Sequence, residues 1–339
     1  MPVNSNISER ERVDNSVTAE ACANIAFIKY WGNRPEGGNL PLNVSISMNL
    51  AGCVSRTTVE EHAEDEDAFF LNDDPVSENA QRRVGEFLDA IRKAAGRSEF
   101  LSVRSTNNFP TGCGIASSAS GFAALATASA VFYGMSADEQ ELSRLARLGS
   151  GSAARSVPSG FVELLPAESH EGAYARSLAA PEDWPDLRDL IVVLSQDEKA
   201  TSSLDGHRLA HTSEMLAGRL AAIPDRVERV RQAIRERDLT ALGEASEADA
   251  VSMHAVMMTS QPPLHYWLPR TLEVLRTVWE LRKKGTEVYF TMDAGPNVHL
   301  LLLEKDVAAV EQLIADELSC RTLTAQPGPA ARIVSEEEA

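Results

Sequence analysis

Strand-like and helix-like patterns of apolar residues alternate along the chain in mixed order. Short alternating or apolar runs predict strands at 17–30, 44–60, 100–105, 190–194, 286–292 and 298–303. Apolar residues spaced three and four apart predict helices at 75–95, about 117–133 and 137–148. The stretch from 195 to 285 is mostly helical in pattern and is interrupted at Pro262 and Pro263. This mixture predicts an α+β fold.

The same patterns predict two domains. Residues 181–185 hold two prolines, and a new buried strand begins at residue 190, so the junction is predicted there. A length of 339 residues suits two domains of ordinary size. The predicted parts are a flexible N-terminal tail at 1–16, an N-terminal domain at 17–185, a C-terminal domain at 186–327 and an acidic tail at 328–339.

Composition narrows the functional class. A hydrophobic content of 43% and a charged content of 24% are typical of a soluble globular protein. The formal charge of −18 argues against a nucleic-acid or anionic-membrane partner, but not against an anionic substrate in a local basic pocket. Cys22, Cys53, Cys113 and Cys320 are scattered, and the first twenty residues are polar, so we expect reduced thiols and a cytoplasmic location.

Residues 107–125, NNFPTGCGIASSASGFAAL, predict a turn that opens into a helix of small residues. Gly112 and Gly114 allow the backbone to approach a ligand closely. Ser117 and Ser118 stand at the start of the helix, where unpaired N–H groups and the helix dipole favour an anion. The P-loop lysine and the G-x-G-x-x-G spacing are both absent. The pattern indicates a phosphate site, with a serine-capped, alanine-packed helix as the alternative.

Four further segments accompany this loop. They are NIAFIKYWG at 24–32, LPLNVSIS at 40–47, GSGSAARS at 149–156 and YFTMDAGPN at 289–297. Together the five segments resemble the signature set of the diphosphomevalonate decarboxylase family of the GHMP kinase superfamily, in the family's order and spacing over about residues 18–305. The resemblance implies an N-terminal mixed-sheet domain, a ferredoxin-like C-terminal domain and an active site in the cleft between them.

The resemblance also implies ATP and Mg²⁺ as cofactors. In this family ATP phosphorylates the tertiary C3 hydroxyl of a phosphorylated mevalonate, after which phosphate and carbon dioxide leave. The ATP-binding residues implied are Pro110, Gly112, Gly114, Ala116, Ser117 and Ser118. Of these, Ser118 is the candidate to meet the metal ion, since magnesium is held largely by oxygen ligands, phosphates and water.

Three residues are the candidates for catalysis. By resemblance, Asp293 is the general base toward the C3 hydroxyl or orients it; alone, it would be interpreted as an Asx-turn residue. Lys29 lies in an apolar, strand-like segment, where a lysine is unexpected unless it reaches a partner or extends from the sheet edge. By resemblance it pairs with Asp293 and stabilises the transferring phosphoryl group. Arg155 is the implied clamp on the substrate carboxylate, because its planar fork can donate two parallel hydrogen bonds.

Two positions depart from the family pattern on the substrate side. The implied substrate-binding residues are Tyr30, Asn33, Ser150, Gly151, Ser152, Arg155, Ser203 and Leu204. Asn33 stands where the family usually has a lysine, and Leu204 where many members have an arginine. At these two positions the chain has two cations fewer than those family members. Because a charge-assisted hydrogen bond is worth roughly 1.5–3 kcal/mol, this difference predicts a substrate with one phosphate fewer. Arg34, His207 or Arg208 is the candidate to compensate.

The preferred hypothesis is therefore a phosphomevalonate decarboxylase that gives isopentenyl phosphate. The alternatives are a diphosphomevalonate decarboxylase that gives isopentenyl diphosphate, a mevalonate 3-kinase or 3,5-bisphosphate decarboxylase, and a silent ligand-binding sensor on the same fold. Retention of both Asp293 and Lys29 argues against the pure kinase and against the sensor. The expected partners are the small-molecule substrate and ATP, with a homodimer as the family's frequent assembly and no nucleic acid or membrane.

Overall fold

A computed structural model describes residues 16–109, 117–195 and 203–335 of the chain. The strands are β1 (Ser16–Ile28), β2 (Ser45–Glu61), β3 (Ala68–Leu71), β4 (Asp74–Pro75), β5 (Leu101–Asn107), β6 (Phe161–Leu164), β7 (Ala175–Ala179), β8 (Leu187–Val193), β9 (Val288–Thr291), β10 (Val298–Leu303), β11 (Arg321–Pro327) and β12 (Arg332–Ile333). The α-helices are α1 (Glu78–Ala95), α2 (Ser117–Phe132), α3 (Glu139–Gly149), α4 (Ser203–Leu209), α5 (Leu216–Glu236), α6 (Leu239–Thr259), α7 (Pro269–Lys283) and α8 (Glu304–Leu318). Short 3₁₀ helices cover Gly151–Ser156, Pro181–Asp183 and Ala210–Thr212.

The described strands form one mixed sheet. Its main path runs β4-β3-β5-β2-β11-β8-β10-β9, and β1 pairs with β2 along most of its length. The β3–β5 pair is parallel and the other pairs are antiparallel. The strand order β11-β8-β10-β9 with intervening helices is the ferredoxin-like arrangement. The predicted α+β class, mixed sheet and ferredoxin-like half are confirmed.

Helices cover this sheet through three large apolar clusters. Helices α1, α2 and α3 pack on the N-terminal strands around Leu88, Val103 and Leu125. Helices α5 and α6 pack on the face of β8 and β10 that carries Ile191 and Leu301. Helices α7 and α8 cover the opposite face of β8, β9 and β10. The helices therefore bury the C-terminal half of the sheet on both faces.

The structure changes one end of the predicted organisation. We expected residues after 327 to be a disordered or loosely docked acidic tail, but β12 pairs with β1, with Ile333 opposite Ala19. Backbone pairing with an edge strand satisfies hydrogen bonds that a tail would leave to water. The predicted tail at 1–16 lies almost wholly outside the described residues, and the domain bounds at 17–185 and 186–327 stay a prediction. In the part of the chain that the structure describes, no helix is long and apolar enough to cross a membrane.

Candidate active site

Lys29 and Asp293, which are 264 positions apart in the sequence, form an ion pair. Lys29 directly follows β1, and Asp293 lies in the turn between β9 and β10. The Lys29 Nζ donates to Asp293 Oδ1 at 2.7 Å. The lysine side chain is 1% exposed, whereas the aspartate side chain is 25% exposed. The sequence-predicted pair is thus brought together, with the carboxylate as its accessible member.

The electrostatics of this pair keep the carboxylate ionised. Burial by itself would raise the pKa of Asp293, but Lys29, His299 and Arg155 outweigh burial and hold this pKa below its ordinary value. Burial lowers the pKa of Lys29, against the opposing effect of Asp293. The pKa values of Lys29 and Asp293 are therefore both shifted from their ordinary values, and such shifts cluster at functional sites.

Asp249 on α6 fixes the backbone of Lys29. The Lys29 N–H donates to Asp249 Oδ2 at 2.7 Å, and Arg219 donates to the same oxygen at 3.0 Å. Arg226 donates to Asp249 Oδ1 at 3.2 Å. The Lys29 carbonyl in turn accepts from Arg219 and from Asn43, each at 3.1 Å. These contacts hold the end of β1 against α5 and α6 and so aim the lysine side chain.

The Asp249 network was not found from the sequence. One signal was available, because Leu242, Ala245, Asp249 and Val256 fall at helical spacing and all are buried. A carboxylate on the apolar face of a helix requires a charged or hydrogen-bonded partner. The partner could not be read from the sequence, since Lys29 and Asp249 are 220 positions apart.

Arg155 lies in the 3₁₀ helix Gly151–Ser156 and is 2% exposed. One terminal nitrogen donates to Ser45 Oγ at 2.7 Å and the other to Asn24 Oδ1 at 3.1 Å. Its Nε is buried and has no hydrogen-bond partner among the described residues. Burial lowers the pKa of Arg155 to about 10, so the guanidinium is still charged at neutral pH. A fixed cation with an unused donor suits the recognition of an anion.

Three serine hydroxyls form a chain from α2 toward Arg155. Ser118 Oγ lies 3.5 Å from Ser150 Oγ, which lies 3.2 Å from Ser152 Oγ. Gly151 between them has no room for a side chain, because a Cβ there would lie 2.3 Å from the Tyr30 ring. The predicted phosphate-side serine and the predicted substrate-side serines therefore share one surface.

Tyr30, Trp31 and His207 pack together beside this surface. The His207 ring centroid lies 4.3 Å from that of Tyr30 and 4.7 Å from that of Trp31. The His207 Nδ1 accepts the Gly32 N–H at 3.0 Å. Burial, with Arg155 and Arg219 contributing, lowers the pKa of His207 to about 3. His207 is therefore neutral at physiological pH. The prediction that it could act as a compensating cation is wrong.

The Tyr30 hydroxyl donates to Asn33 Oδ1 and, at 3.2 Å, to the carbonyl of Asn39. Burial raises the pKa of Tyr30, which keeps its phenol neutral. The other two candidate cations differ in setting. Arg208 is 71% exposed and pairs with Asp205 at 3.5 Å, while Arg34 is 30% exposed and lies 3.9 Å from Glu168.

Several predicted positions are not described at the level of side chains. Pro110, Gly112, Gly114 and Ala116 lie outside the described residues, and the side chains of Ser203 and Leu204 at the start of α4 do so as well. Ser117 and Ser118 are described as the first residues of α2, which confirms the predicted helix start. The functional roles of all these residues stay predictions.

A cavity of about 270 Å³ opens beside Ser117 and Ser118. Arg83 lies at its wall, with its guanidinium 4.8 Å from the centroid of the Phe122 ring. Apolar and small polar side chains from several elements complete the lining, among them Thr57, Phe69, Leu71, Ser77, Asn79, Val84, Val103, Ser105, Asn107 and Leu125. An apolar cavity at the anion-binding start of a helix can hold a flat ring whose attached phosphates reach that helix.

Comparisons with known proteins agree with this architecture. Residues 21–175 match the family model described as diphosphomevalonate decarboxylase-like N-terminal domain, and residues 189–332 match mevalonate 5-diphosphate decarboxylase C-terminal domain. Diphosphomevalonate decarboxylase of Candida albicans is 36% identical over 299 residues, which cover 83% of each chain.

Two solved structures extend the agreement to three dimensions. The structure described as MDDEF in complex with MVAPP, AMPPCP and magnesium has a TM-score of 0.90 and 38% identity, covering 94% of this chain and 99% of the other. A structure of the mevalonate diphosphate decarboxylase from Enterococcus faecalis, which concerns ATP binding mediated by mevalonate diphosphate, has a TM-score of 0.88 and 37% identity, with the same coverage.

The sheet order and the helix that starts at Ser117 define a protein of the GHMP kinase fold. Within that class, the chain belongs to the diphosphomevalonate decarboxylase family. Both the predicted family and the predicted fold are therefore confirmed.

Proposed function

We propose that this chain is an ATP-dependent decarboxylase of mevalonate 5-diphosphate. The observation that carries the proposal is the Lys29–Asp293 ion pair at 2.7 Å, which has Arg155 as an electrostatic neighbour. The relatives with which the chain shares this fold are diphosphomevalonate decarboxylases. Of the two decarboxylase substrates weighed from the sequence, the relatives thus favour the diphosphate alternative over the monophosphate.

Asp293 orients the substrate's C3 hydroxyl and accepts its proton. Its carboxylate is ionised and partly accessible, which a group that accepts a hydroxyl proton requires. The hydroxyl oxygen then takes the terminal phosphoryl group of ATP, and ADP leaves. The C3–O bond breaks with release of phosphate, the electrons of the bond to the carboxylate form the double bond, and carbon dioxide departs.

Lys29 and Arg155 act on the charges of this reaction. The buried Lys29 ammonium lies beside the reacting oxygen and stabilises negative charge as the phosphoryl group moves. Arg155 holds the substrate carboxylate with its unused donor and by exchanging contacts with Asn24 or Ser45. Such a clamp fixes the bond that will break, which is a positioning effect.

The residues at the start of α2 fit ATP and Mg²⁺. Ser117 and Ser118 bring hydroxyls and free backbone N–H groups to the phosphates, and the adjoining 270 Å³ cavity suits the adenine ring. Within the described residues, no group of three or more His, Cys, Asp or Glu side chains is arranged to hold a metal ion. Mg²⁺ would therefore be held by the phosphates, water and the Ser118 hydroxyl, and it would neutralise charge on the transferring group.

A phosphomevalonate decarboxylase is the second candidate. Asn33 places a neutral amide beside Tyr30, and His207 is neutral, so neither supplies a cation for a terminal phosphate. Of the two candidate arginines, Arg34 lies 3.9 Å from Glu168 and Arg208 lies 3.5 Å from Asp205. A cytoplasmic homodimer also belongs to the proposal. The location is supported by the free thiols of Cys22, Cys53 and Cys320, and the assembly only by the resemblance to the family.

The two candidates predict different substrate preferences. ADP and carbon dioxide are to be measured with mevalonate, its 5-phosphate, its 5-diphosphate and its 3,5-bisphosphate side by side. We expect equal amounts of ADP and carbon dioxide. The kcat/KM should be about one to two powers of ten higher for the 5-diphosphate than for the 5-phosphate, because that is the effect of one charge-assisted contact. Asn33→Lys should widen this gap, and Arg235→Gln, at an arginine of α5 that is 61% exposed and has no assigned role in the site, serves as the matched control.

A higher kcat/KM for the 5-phosphate would replace the proposed substrate by the second candidate. ADP formation without carbon dioxide would indicate a 3-kinase, and binding of ATP without either product would indicate a sensor. A preference for the 3,5-bisphosphate would indicate the bisphosphate decarboxylase.

A further inference from the structure

A short loop at residues 33–40 lies between β1 and β2 and carries Asn33 and Asn39. Its two ends are held together, because the Arg34 N–H donates to the Leu40 carbonyl at 2.8 Å. Asn39 has a φ of +53°, a left-handed conformation that asparagine adopts more readily than most residues. The 33–40 loop is therefore a closed unit, and contacts at one of its residues can position all of it.

The Asn39 side chain fastens this loop to the end of α3. Its Nδ2 donates to the carbonyl of Arg147 at 2.9 Å and to that of Leu148 at 3.1 Å. Both carbonyls belong to the last turn of a helix that ends at Gly149, where the helix itself supplies no N–H partner. One amide thus satisfies two carbonyls that helix geometry leaves free.

Arg147 holds the same loop from the side of the helix. Its side chain is fully buried, and one terminal nitrogen donates to the Gly38 carbonyl. The Nε donates to the Ala173 carbonyl at 2.9 Å, and the other terminal nitrogen donates to His170 Nδ1 at 2.8 Å. Burial lowers the pKa of Arg147 to about 10, so the guanidinium is charged at neutral pH.

Packing of α3 does not by itself account for this arginine. Among the described residues no carboxylate acts on the Arg147 charge, and removing an unpaired charge from water is costly. An apolar side chain of similar size would fill the space without that cost. What the guanidinium adds is a fixed position for the Gly38 carbonyl and, through the chain, for Asn39.

The 33–40 loop reaches the candidate site through two side chains. The Tyr30 hydroxyl donates to the Asn39 carbonyl at 3.2 Å and also to Asn33 Oδ1. The Asn33 Nδ2 donates to Asn39 Oδ1 at 3.4 Å. Asn33 is only partly buried, and its Nδ2 carries a second N–H that has no partner among the described residues. The orientation of this amide is therefore set by its neighbours, with one donor left for a ligand.

The other end of this connection is the segment of predicted substrate-binding serines. The end of α3 leads directly into residues 150–152, which include those serines. Asn39 and Arg147 consequently fix Tyr30 and Asn33 on one side with respect to the segment 150–152 on the other.

We propose that Asn39 and Arg147 are positioning residues for the phosphate-bearing end of the substrate. They hold the Asn33 amide and the Tyr30 hydroxyl in place and need not contact the substrate themselves. The chain has Asn33 where the family pattern has a lysine, and a neutral hydrogen bond weakens steeply when its angle is poor, so this amide must be aimed accurately. The inference rests on the proposed function, because it assumes that Asn33 faces a phosphorylated substrate.

The test is Asn39→Gly, because glycine keeps the left-handed backbone and the carbonyl that Tyr30 contacts but removes the amide. Calorimetry measures the Kd of mevalonate 5-diphosphate or 5-phosphate, whichever binds the wild type more tightly. We expect this Kd to rise about tenfold, the effect of one hydrogen bond to a charged group. The kcat and the KM for ATP should stay within about twofold, whereas a general loss of structure would lower kcat as well.

A double-mutant cycle with Asn33→Ala tests whether Asn39 acts through Asn33. In the Asn33→Ala background, Asn39→Gly should raise the Kd by about threefold or less. Arg147→Lys keeps the charge but loses the planar fork, so it should weaken substrate binding in the same way. Pro35→Gly, at an exposed position of the same loop, is the matched control for added chain freedom, and its Kd should equal that of the wild type.

Three results would each overturn the proposal. They are a Kd within twofold of the wild type in folded Asn39→Gly, a full tenfold effect of Asn39→Gly in the Asn33→Ala background, and an equal loss of binding in Pro35→Gly. Calorimetry needs no turnover, so a failure to release carbon dioxide would contradict the proposed function and leave this test intact.

Discussion

Two carboxylates that both contact Lys29 have opposite surroundings. Asp249 is fully buried and uses both oxygens, accepting from the Lys29 N–H, Arg219 and Arg226. Asp293 is one-quarter exposed, and of the described side chains only Lys29 forms a hydrogen bond with its carboxylate. One carboxylate is saturated by protein donors, and the other still has an oxygen free to contact a ligand.

This difference separates structural from chemical roles for the same residue type. A carboxylate that is buried with all its hydrogen bonds made holds the backbone in place. A carboxylate held by one lysine at the edge of a cleft has both a fixed orientation and spare accepting capacity. The lysine joins the two, because its backbone is held by Asp249 and its ammonium holds Asp293.

The largest expected effect is that of Asp293→Asn, which tests the chemical role of the partly exposed carboxylate. The amide keeps the size of the side chain but cannot take up the hydroxyl proton, so kcat should fall by about 10³-fold or more, near the upper range for general bases. Steady-state kinetics and equilibrium binding of ATP and substrate provide the measurement, and both affinities should be nearly unchanged. Turnover within tenfold of the wild type would remove Asp293 from the proton-transfer step.

The converse substitution, Asp249→Asn, should act first on stability. It leaves the buried guanidinium of Arg219 without its counter-charge, and breaking a buried pair typically costs about 3–5 kcal/mol. Urea unfolding of the two proteins at pH 7 provides the measurement. The variant that folds should also show a lower kcat, because the Lys29 backbone loses its acceptor.

Arg226→Gln is the control for that experiment, since Arg226 is 22% exposed and contacts the other oxygen of Asp249. Its loss should cost about 1 kcal/mol or less, as for other partly exposed ion pairs. Equal destabilisation by the two variants would show that Asp249 is not distinguished by its buried contacts.

The sequence predicted the parts of this arrangement that are local. Strand alternation located β1 and β2, the Ser117 helix start was predicted at its observed position, and Asp293 was placed in a turn between two strands. Lys29, Arg155 and Asp293 could be assigned because each lies in a short, recognisable segment. The contact between Lys29 and Asp293 came from the resemblance, since 264 positions separate them.

The remainder depended on long-range packing. Asp249 lies outside every recognised motif, so its partners became visible only when the sheet and α6 were assembled. The short strand β12 was missed because two residues carry no periodic pattern, and its pairing with β1 decides its structure. His207 was taken as a candidate cation, whereas its burial between two aromatic rings makes it neutral.

The last prediction concerns His207, which is buried like Asp249 but carries no charge. Its replacement is expected to have the smallest effect, which is on the pH dependence of stability. The pKa of His207 is about 3 in the folded protein, while an exposed histidine in the unfolded chain titrates near 6.5. Between these pH values the unfolded chain binds one more proton, so the stability of the wild type should fall as pH decreases through this window.

The slope from His207 alone should be about 1.4 kcal/mol per pH unit where the unfolded form is fully protonated. His207→Gln removes this term, so urea unfolding between pH 6.5 and pH 4 should show a shallower dependence on pH than the wild type. His265→Gln, at an exposed histidine, is the matched control. If His207→Gln kept the full wild-type slope, the imidazole would have to be charged in the folded protein. His207 would then not be a neutral buried group, and its exclusion as a cation for the phosphate would be wrong.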